Sequence, residues 1–125
     1  MAVKLIENID QGLLGIWEIV ETTEQLLSQY QPKNEELENF LFFRNELRKR
    51  EWLATRLLLQ QLLGRESIIG YDPSGKPYLT NSTGHISISH SCNYVAVCYH
   101  PEFQPGIDIE LITRNIERAA SRFLS

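Results

Sequence analysis

The sequence has little of three things: long apolar runs, cysteine and positive charge. Its longest apolar runs, such as residues 57–59, are far too short to span a membrane, and residues 1–8 lack a signal-peptide pattern. A membrane partner is therefore not expected. The net charge of −4 argues against binding nucleic acid or another polyanion through a broad basic surface. Any phosphate site must be a local cluster of basic residues.

The two cysteines, Cys92 and Cys98, lie in an apolar, strand-like stretch. Their spacing fits neither a Cys-x-x-Cys metal site nor a disulfide framework. We expect two buried thiols, and with them a reducing, cytoplasmic setting.

The composition that is present, 42% hydrophobic and 22% charged over 125 residues, is typical of one compact soluble domain. Its clearest pattern is helical, because no Gly or Pro interrupts the chain between Asn34 and Gly64. Asn34 is a favourable N-cap, Glu35 and Glu36 place negative charge in the first turn, and Gly64 is a natural C-terminal cap. Apolar positions follow helical spacing only in patches. The pattern therefore predicts one long helix or two abutting helices with a break near Glu46.

Shorter segments have the composition and alternation typical of β-strands. Strands are predicted at residues 13–21, 68–71, 77–79, 86–91, 94–99 and 106–111, with short helices at 24–28 and from 114 onward. Residues 86–91 and 94–99 are expected to pair as a hairpin across Cys92-Asn93. The predicted fold class is α+β, with a long helix packed on a small antiparallel sheet.

Asp108 and Glu110 are the first candidate site residues. Positions i and i+2 of a strand point to the same face, so these carboxylates stand side by side. Such a pair suits a hard cation, since Mg²⁺ commonly takes one or two carboxylates plus substrate phosphate oxygens. A solvated edge strand has the same pattern, and spacing alone does not separate the two interpretations.

His90, between Ser89 and Ser91, is the second candidate. Neighbours in a strand point to opposite faces, so this arrangement does not favour a nucleophile paired with a base. Hydroxyl, backbone N–H and imidazolium groups at a strand end can instead donate hydrogen bonds to phosphate. The alternative is that the three side chains satisfy one another at a hairpin.

Basic residues supply the remaining candidates. Lys76, between Gly75 and Pro77, is either a point charge presented to an anion by a turn or a solvated hairpin lysine. The helical segment carries a further set of basic residues: Arg44, Arg48, Lys49, Arg50 and Arg56. Acidic residues interleaved with this set indicate a salt-bridged solvent face, from which one Arg could turn inward to a phosphate. Spacing does not say which one.

The order of these motifs is more specific than any one of them. Arg50 in a leucine-rich helix is followed by Gly75-Lys76-Pro77-Tyr78-Leu79, by Ile86-Ser87-Ile88-Ser89-His90-Ser91 and by Gly106-Ile107-Asp108-Ile109-Glu110. This series resembles the two-half 4′-phosphopantetheinyl transferases, of the surfactin-synthetase-activating type, from about Trp17 to the last residue. The resemblance implies that residues 1–105 form the N-terminal half-domain of a pseudo-twofold fold. Residues 106–125 would then be the first strand and the start of a helix of a truncated second half.

The resemblance also implies roles for particular residues. Asp108 and Glu110 match the family's magnesium ligands, Lys76, Ser89 and His90 match residues that grip the phosphates of coenzyme A, and Arg50 falls where the family places an arginine for the 3′-phosphate. The implied reaction is the Mg²⁺-dependent transfer of 4′-phosphopantetheine from coenzyme A to a serine of an acyl or peptidyl carrier protein. Such transfer serves fatty-acid, polyketide or nonribosomal peptide synthesis.

The family's second half carries a Trp-x-x-Lys-Glu-like motif that supplies a further metal-site Glu and a catalytic Lys, and this motif does not occur in the sequence. We therefore expect a shortened enzyme with little or no transferase activity on its own. Two other interpretations stay open: a non-catalytic module that binds coenzyme A or a carrier protein, and a subunit that completes its site with another chain. A strand at 106–111 without its partners would favour self-association.

Overall fold

The computed structural model describes the backbone of residues 3–9 and, in full, residues 12–64, 67–80, 83–91 and 93–102. The described elements are β1 Val3–Ile9, β2 Gly12–Glu18, α1 Thr23–Gln29, α2 Glu35–Phe42, α3 Glu46–Leu63, β3 Ile69–Tyr71, β4 Pro77–Leu79, β5 His85–Ser91 and β6 Tyr94–His100. The protein thus has the predicted α+β class. The strand predicted at 106–111 and the helix predicted after it lie outside the described residues.

Four strands form one antiparallel sheet in the order β1-β2-β6-β5, and β3 pairs with β4 in a separate two-stranded hairpin. β5 and β6 pair from His85 opposite His100 to Ser91 opposite Tyr94, which confirms the hairpin predicted across residues 92–93. Asn93 has a φ of 70°, a left-handed conformation that tight hairpins use and Asn tolerates. In the strand order given above, β5 lies at the edge of the described sheet.

The long helical segment is two helices, the second of the two predicted alternatives. α3 begins after a break because Asn45 Oδ1 accepts hydrogen bonds from the backbone N–H groups of Leu47, at 2.8 Å, and Arg48, at 3.3 Å. Gly64 ends α3 in the left-handed conformation, with a φ of 68°, as predicted. Asn34 is the N-cap residue of α2, as predicted, but its φ is 57° and its side chain makes no capping hydrogen bond to the helix.

α3 packs across one face of the sheet and forms the main core. Leu58 is fully buried there with Trp17 of β2 and Val95 of β6. Gly15 allows this close approach, because a Cβ at that position would lie 2.8 Å from Leu58 Cδ1 and 3.0 Å from Leu62 Cδ2. The glycine in β2 therefore sets how near α3 comes to the sheet.

The opposite face of the sheet has a smaller buried cluster of Leu14, Ile16 and Ala96. Cys98 packs against this cluster and is partly buried, and burial raises the pKa of its thiol above the ordinary value of 9.0. A thiol with a raised pKa is a poor nucleophile at neutral pH. Cys92 lies outside the described residues.

α2 contacts the core through one side only. Phe40 is buried and packs 5.6 Å, centroid to centroid, from Trp52 of α3. Leu41 and Phe42 on the other side are 63% and 83% exposed. Phe40 is therefore the apolar side chain that fastens α2 to the core, while its two apolar neighbours add little to it.

Candidate functional site

A cleft of about 380 Å³ opens between α3, the β3–β4 hairpin and β5. On α3 it is lined by residues at helical spacing, which places them on one face of that helix: Arg48, Glu51, Trp52, Thr55 and Arg56. The hairpin contributes Tyr71, Gly75 and Pro77, and β5 contributes Ile88 and His90. Segments far apart in the sequence therefore meet at one concave surface.

His90 and Glu51 lie against each other inside the cleft. His90 Nδ1 lies 3.0 Å from Glu51 Oε2, within hydrogen-bond distance. The Glu51 side chain is 10% exposed and that of His90 is 44% exposed. The Nδ1 side of the imidazole thus faces the carboxylate of Glu51 on α3.

Arg56 is the arginine that turns inward. Its side chain is 3% exposed, its guanidinium carbon lies 3.6 Å from the ring centroid of Trp52, and its Nη1 donates to the Trp52 carbonyl at 3.3 Å. Its Nε lies 3.4 Å from Glu36 Oε2, an ion pair that lacks hydrogen-bond geometry. The Tyr30 hydroxyl donates to Glu36 Oε1 at 2.6 Å. Arg56 therefore lines the cleft and also contacts the partly buried carboxylate of Glu36 on α2.

The turn of the β3–β4 hairpin is organised by Asp72. Its Oδ1 accepts from the backbone N–H of Ser74, from the Ser74 hydroxyl and from the backbone N–H of Lys76, at 2.9, 2.6 and 2.9 Å. Gly75 has a φ of 89°, which only glycine adopts readily. The Ser74 hydroxyl, then the Lys76 N–H, hold the pKa of Asp72 below its ordinary value of 3.8. This turn fixes the exposed Lys76 between two residues that line the cleft.

Replacing Asp72 with alanine is expected to loosen this turn. The amide groups of Ser74 and Lys76 lose their acceptor, so their protection against hydrogen exchange should fall by about an order of magnitude. The lowered pKa means that the carboxylate contributes fully above pH 3.8 and loses its contribution as the pH falls through the lowered value. Asp72→Asn, which keeps an oxygen acceptor, should retain much of the protection without this acid dependence. Equal protection in Asp72→Ala and the native chain would contradict the assigned role.

Of the site residues that the sequence predicts, some lie at the cleft and others do not. His90 lines the cleft and Lys76 lies beside it. Ser89 pairs with Ala96, which belongs to the buried cluster on the opposite face of the sheet, so Ser89 lies on the other side of β5. Arg50 does not line the cleft, whereas Arg48, two residues earlier on α3, does. Asp108 and Glu110 lie outside the described residues.

The sequence placed Arg48 and Arg56 in a set of five basic residues without choosing between them, and it did not predict Glu51 as a site residue. Their helical spacing places them on one face of α3, but the same spacing also describes a solvated face. Among the residues that the structure describes, no three His, Cys, Asp or Glu side chains cluster in a way that could hold a metal ion. The described lining of the cleft includes the hydrogen-bond donors Arg48, Arg56 and His90.

No protein-family model matches the sequence, and no curated protein matches it. In the described part of the chain, no helix is long and apolar enough to cross a membrane.

Proposed function

We propose that this chain is the coenzyme A-binding half of a 4′-phosphopantetheinyl transferase and that the cleft holds the phosphate end of coenzyme A. One observation carries the proposal. The Gly75-Lys76-Pro77 turn and His90, which are separate motifs of the resemblance, border the same cleft against α3. Its volume of about 380 Å³ is in the range usual for small-molecule sites, about 300–1,000 Å³.

The charges around the cleft favour an anion. Arg56 is paired with Glu36, and His90 with Glu51. Within the described residues Arg48 makes no ion pair, whereas Lys76 shares its turn with the Asp72 carboxylate, whose pKa the lysine charge helps to lower. An arginine fork and a lysine ammonium are the usual donors to phosphate oxygens. The cleft can therefore bind and orient a phosphate-bearing ligand.

In the proposed reaction, the serine hydroxyl of an acyl or peptidyl carrier protein attacks the β-phosphate of coenzyme A. A P–O bond to serine forms and its hydroxyl proton is released, while the P–O bond of the pyrophosphate bridge breaks and 3′,5′-ADP departs with the bridging oxygen. The described residues position the nucleotide, which lowers the entropic part of the barrier. A magnesium ion would neutralise charge on the pyrophosphate, and Asp108 and Glu110 are its proposed ligands.

Calorimetric titration with coenzyme A and with 3′,5′-ADP tests the binding half of the proposal. Arg48→Ala should weaken both ligands at least about tenfold, since a hydrogen bond to a charged group contributes about 1.5–3 kcal/mol. Arg50→Ala is the competing variant: it removes the same charge from the same helix, at the position that the resemblance assigns to the 3′-phosphate but that does not line the cleft. Asp108→Ala, titrated with and without Mg²⁺, tests the proposed metal pair.

Two results would overturn the proposal in different ways. If the native chain binds neither ligand, the cleft is not a coenzyme A site. If Arg50→Ala weakens binding while Arg48→Ala does not, coenzyme A binds this chain on another face of α3. Weakening by Arg48→Ala alone supports the cleft, and transfer of the arm to a carrier protein would then extend binding to catalysis.

A further inference from the structure

A second cavity, of about 480 Å³, lies where α1 ends and α2 begins. Its wall is formed by the segment between those two helices, by Gln60 of α3, and by Ser67 and Ile68, which precede β3. Among the described residues, none that lines the cleft also lines this cavity. Its volume is in the range usual for small-molecule sites. The chain therefore has a second concave surface of ligand size.

Asn34, at the N-terminal end of α2, lines this cavity and has a conformation that favours glycine. Its φ of 57° and ψ of −128° lie outside the left-handed helical region that asparagine tolerates, in a part of backbone space that glycine enters much more readily. The side chain makes no capping hydrogen bond to α2. Neither the backbone conformation nor helix capping therefore explains an asparagine at this position, and its carboxamide is left for the cavity.

Ser67 is a second polar side chain of this cavity that the described fold does not use. The residue is 7% exposed, and its Oγ is buried with no hydrogen-bond partner in the described part of the chain. A buried hydroxyl that stays unpaired costs free energy, so a group that enters the cavity and pairs with it recovers that free energy on binding. Two polar side chains without a structural role therefore line one cavity.

The charged residues of the cavity wall offset one another. Lys33 is followed two residues later by Glu35, and the carboxylate of Glu36 lies 3.4 Å from Arg56 Nε. α2 begins with acidic residues, which offset the positive end of its dipole and disfavour an anion there. The lining favours neither an anion nor a cation, so an uncharged ligand fits it best.

We propose that this cavity binds a small, uncharged molecule that carries an amide group. Four lining residues have carboxamides: Gln29, Gln31, Asn34 and Gln60. A carboxamide presents a donor and an acceptor side by side, and an amide ligand presents the same two groups in the complementary order. A hydroxyl holds both functions on one atom and matches this arrangement less well. Ser67 adds a hydroxyl that donates or accepts, and the half-exposed Ile68 adds an apolar contact.

Titration of the native chain with acetyl-leucine amide, followed by nitrogen–proton NMR, tests this inference. The side-chain amide signals of Asn34 and Gln60 should shift together and saturate in the millimolar range, as expected for so small a ligand. Two probes are matched controls: acetyl-leucine, which has a carboxylate in place of the amide, and glucose, an uncharged polyol. Both should bind about threefold more weakly or worse, since each loses a hydrogen bond that the amide makes.

Asn34→Gly separates a binding role from a structural one. It removes the carboxamide and relieves the backbone conformation, so it should weaken binding of acetyl-leucine amide about two- to tenfold without lowering the urea midpoint of unfolding. Ser67→Ala removes an unpaired hydroxyl and should have the same two effects. Asn39→Ala is the matched control. It removes a carboxamide from an exposed position of α2 outside the cavity lining and should leave binding unchanged.

Three results would overturn the inference. The first is the absence of a saturable shift with acetyl-leucine amide. The second is binding of acetyl-leucine or glucose as tight as that of the amide, which would assign the cavity to another class of ligand. The third is a loss of stability in Asn34→Gly, which would give this side chain a structural role. Because coenzyme A takes no part in these experiments, a failure of the proposed function does not affect their outcome.

Discussion

Replacing Arg56 with alanine is expected to lower the free energy of unfolding by about 3–5 kcal/mol, the range found when one partner of a buried ion pair is removed. The variant leaves the largely buried carboxylate of Glu36 without its cation and removes the guanidinium stacked 3.6 Å from the Trp52 ring centroid. Urea unfolding followed by tryptophan fluorescence measures the effect.

Arg48→Ala is the matched control for this prediction. Both arginines belong to the same face of α3 and line the same cleft, but Arg48 is exposed and, among the described residues, has no ion pair. Its removal should change the free energy of unfolding by about 0.5 kcal/mol or less. Adding Glu36→Gln to Arg56→Ala should recover part of the loss, since it removes the uncompensated charge. Equal, small effects of the two alanine variants would show that the Arg56–Glu36 pair is not important for stability.

Leu58→Ala is expected to lower the free energy of unfolding by about 2–5 kcal/mol, because it leaves a cavity between α3 and the sheet. Gly15→Ala should cost about 1–3 kcal/mol for the opposite reason, since its Cβ would meet Leu58 Cδ1 at 2.8 Å. In the double variant the new methyl group occupies space that Leu58 has vacated. The double variant should therefore lose less stability than the sum of the two single losses, by about 0.5 kcal/mol or more.

Leu41 of α2 provides the control for the Leu58 and Gly15 variants. Leu41→Ala removes the same side chain from α2, where it is 63% exposed, and should change stability by about 0.5 kcal/mol or less. Strictly additive effects of Leu58→Ala and Gly15→Ala would contradict the prediction, because they would mean that the new methyl group at position 15 does not contact the side chain of Leu58. Thermal or urea unfolding of the four variants provides both comparisons.

Helix ends and the hairpins were predictable because single residues determine them locally. Gly64 ends α3, Asp72 and Gly75 form the turn, and the alternation of residues 86–91 marks β5. The break before α3 was predictable as an alternative, but choosing it required Asn45, whose side chain caps the first turn. A good capping residue within a helical pattern was the available signal.

β1 was not predicted, and its register explains why. The pairing of β1 with β2 shifts between Val3 and Leu5, so the strand does not follow one continuous period of two. Lys4, Glu7 and Asn8 further weaken its pattern as a strand. β1 is a strand because it pairs with β2, and such pairing cannot be predicted from the sequence of either strand alone.

The candidate site was predictable only in its local parts. His90 and Lys76 belong to short motifs that a turn and a hairpin present, so the sequence pointed to them. Choosing between Arg48, Arg50 and Arg56 required knowing which side of α3 faces the sheet, and that is decided by packing. A contribution of Ser89 and Arg50 to coenzyme A binding stays a prediction. Because neither residue lines the cleft, their substitution tests whether the ligand extends beyond it.

The double engagement of Arg56 has an energetic consequence. A phosphate that draws the guanidinium toward the cleft does so in competition with Glu36, which also holds α2 through that contact. For such a ligand, thermodynamic reciprocity requires that strengthening the Arg56–Glu36 contact weakens binding, and that binding weakens the contact by the same free energy. The affinity of the cleft for its ligand and the attachment of α2 to the core are then coupled through the side chain of Arg56.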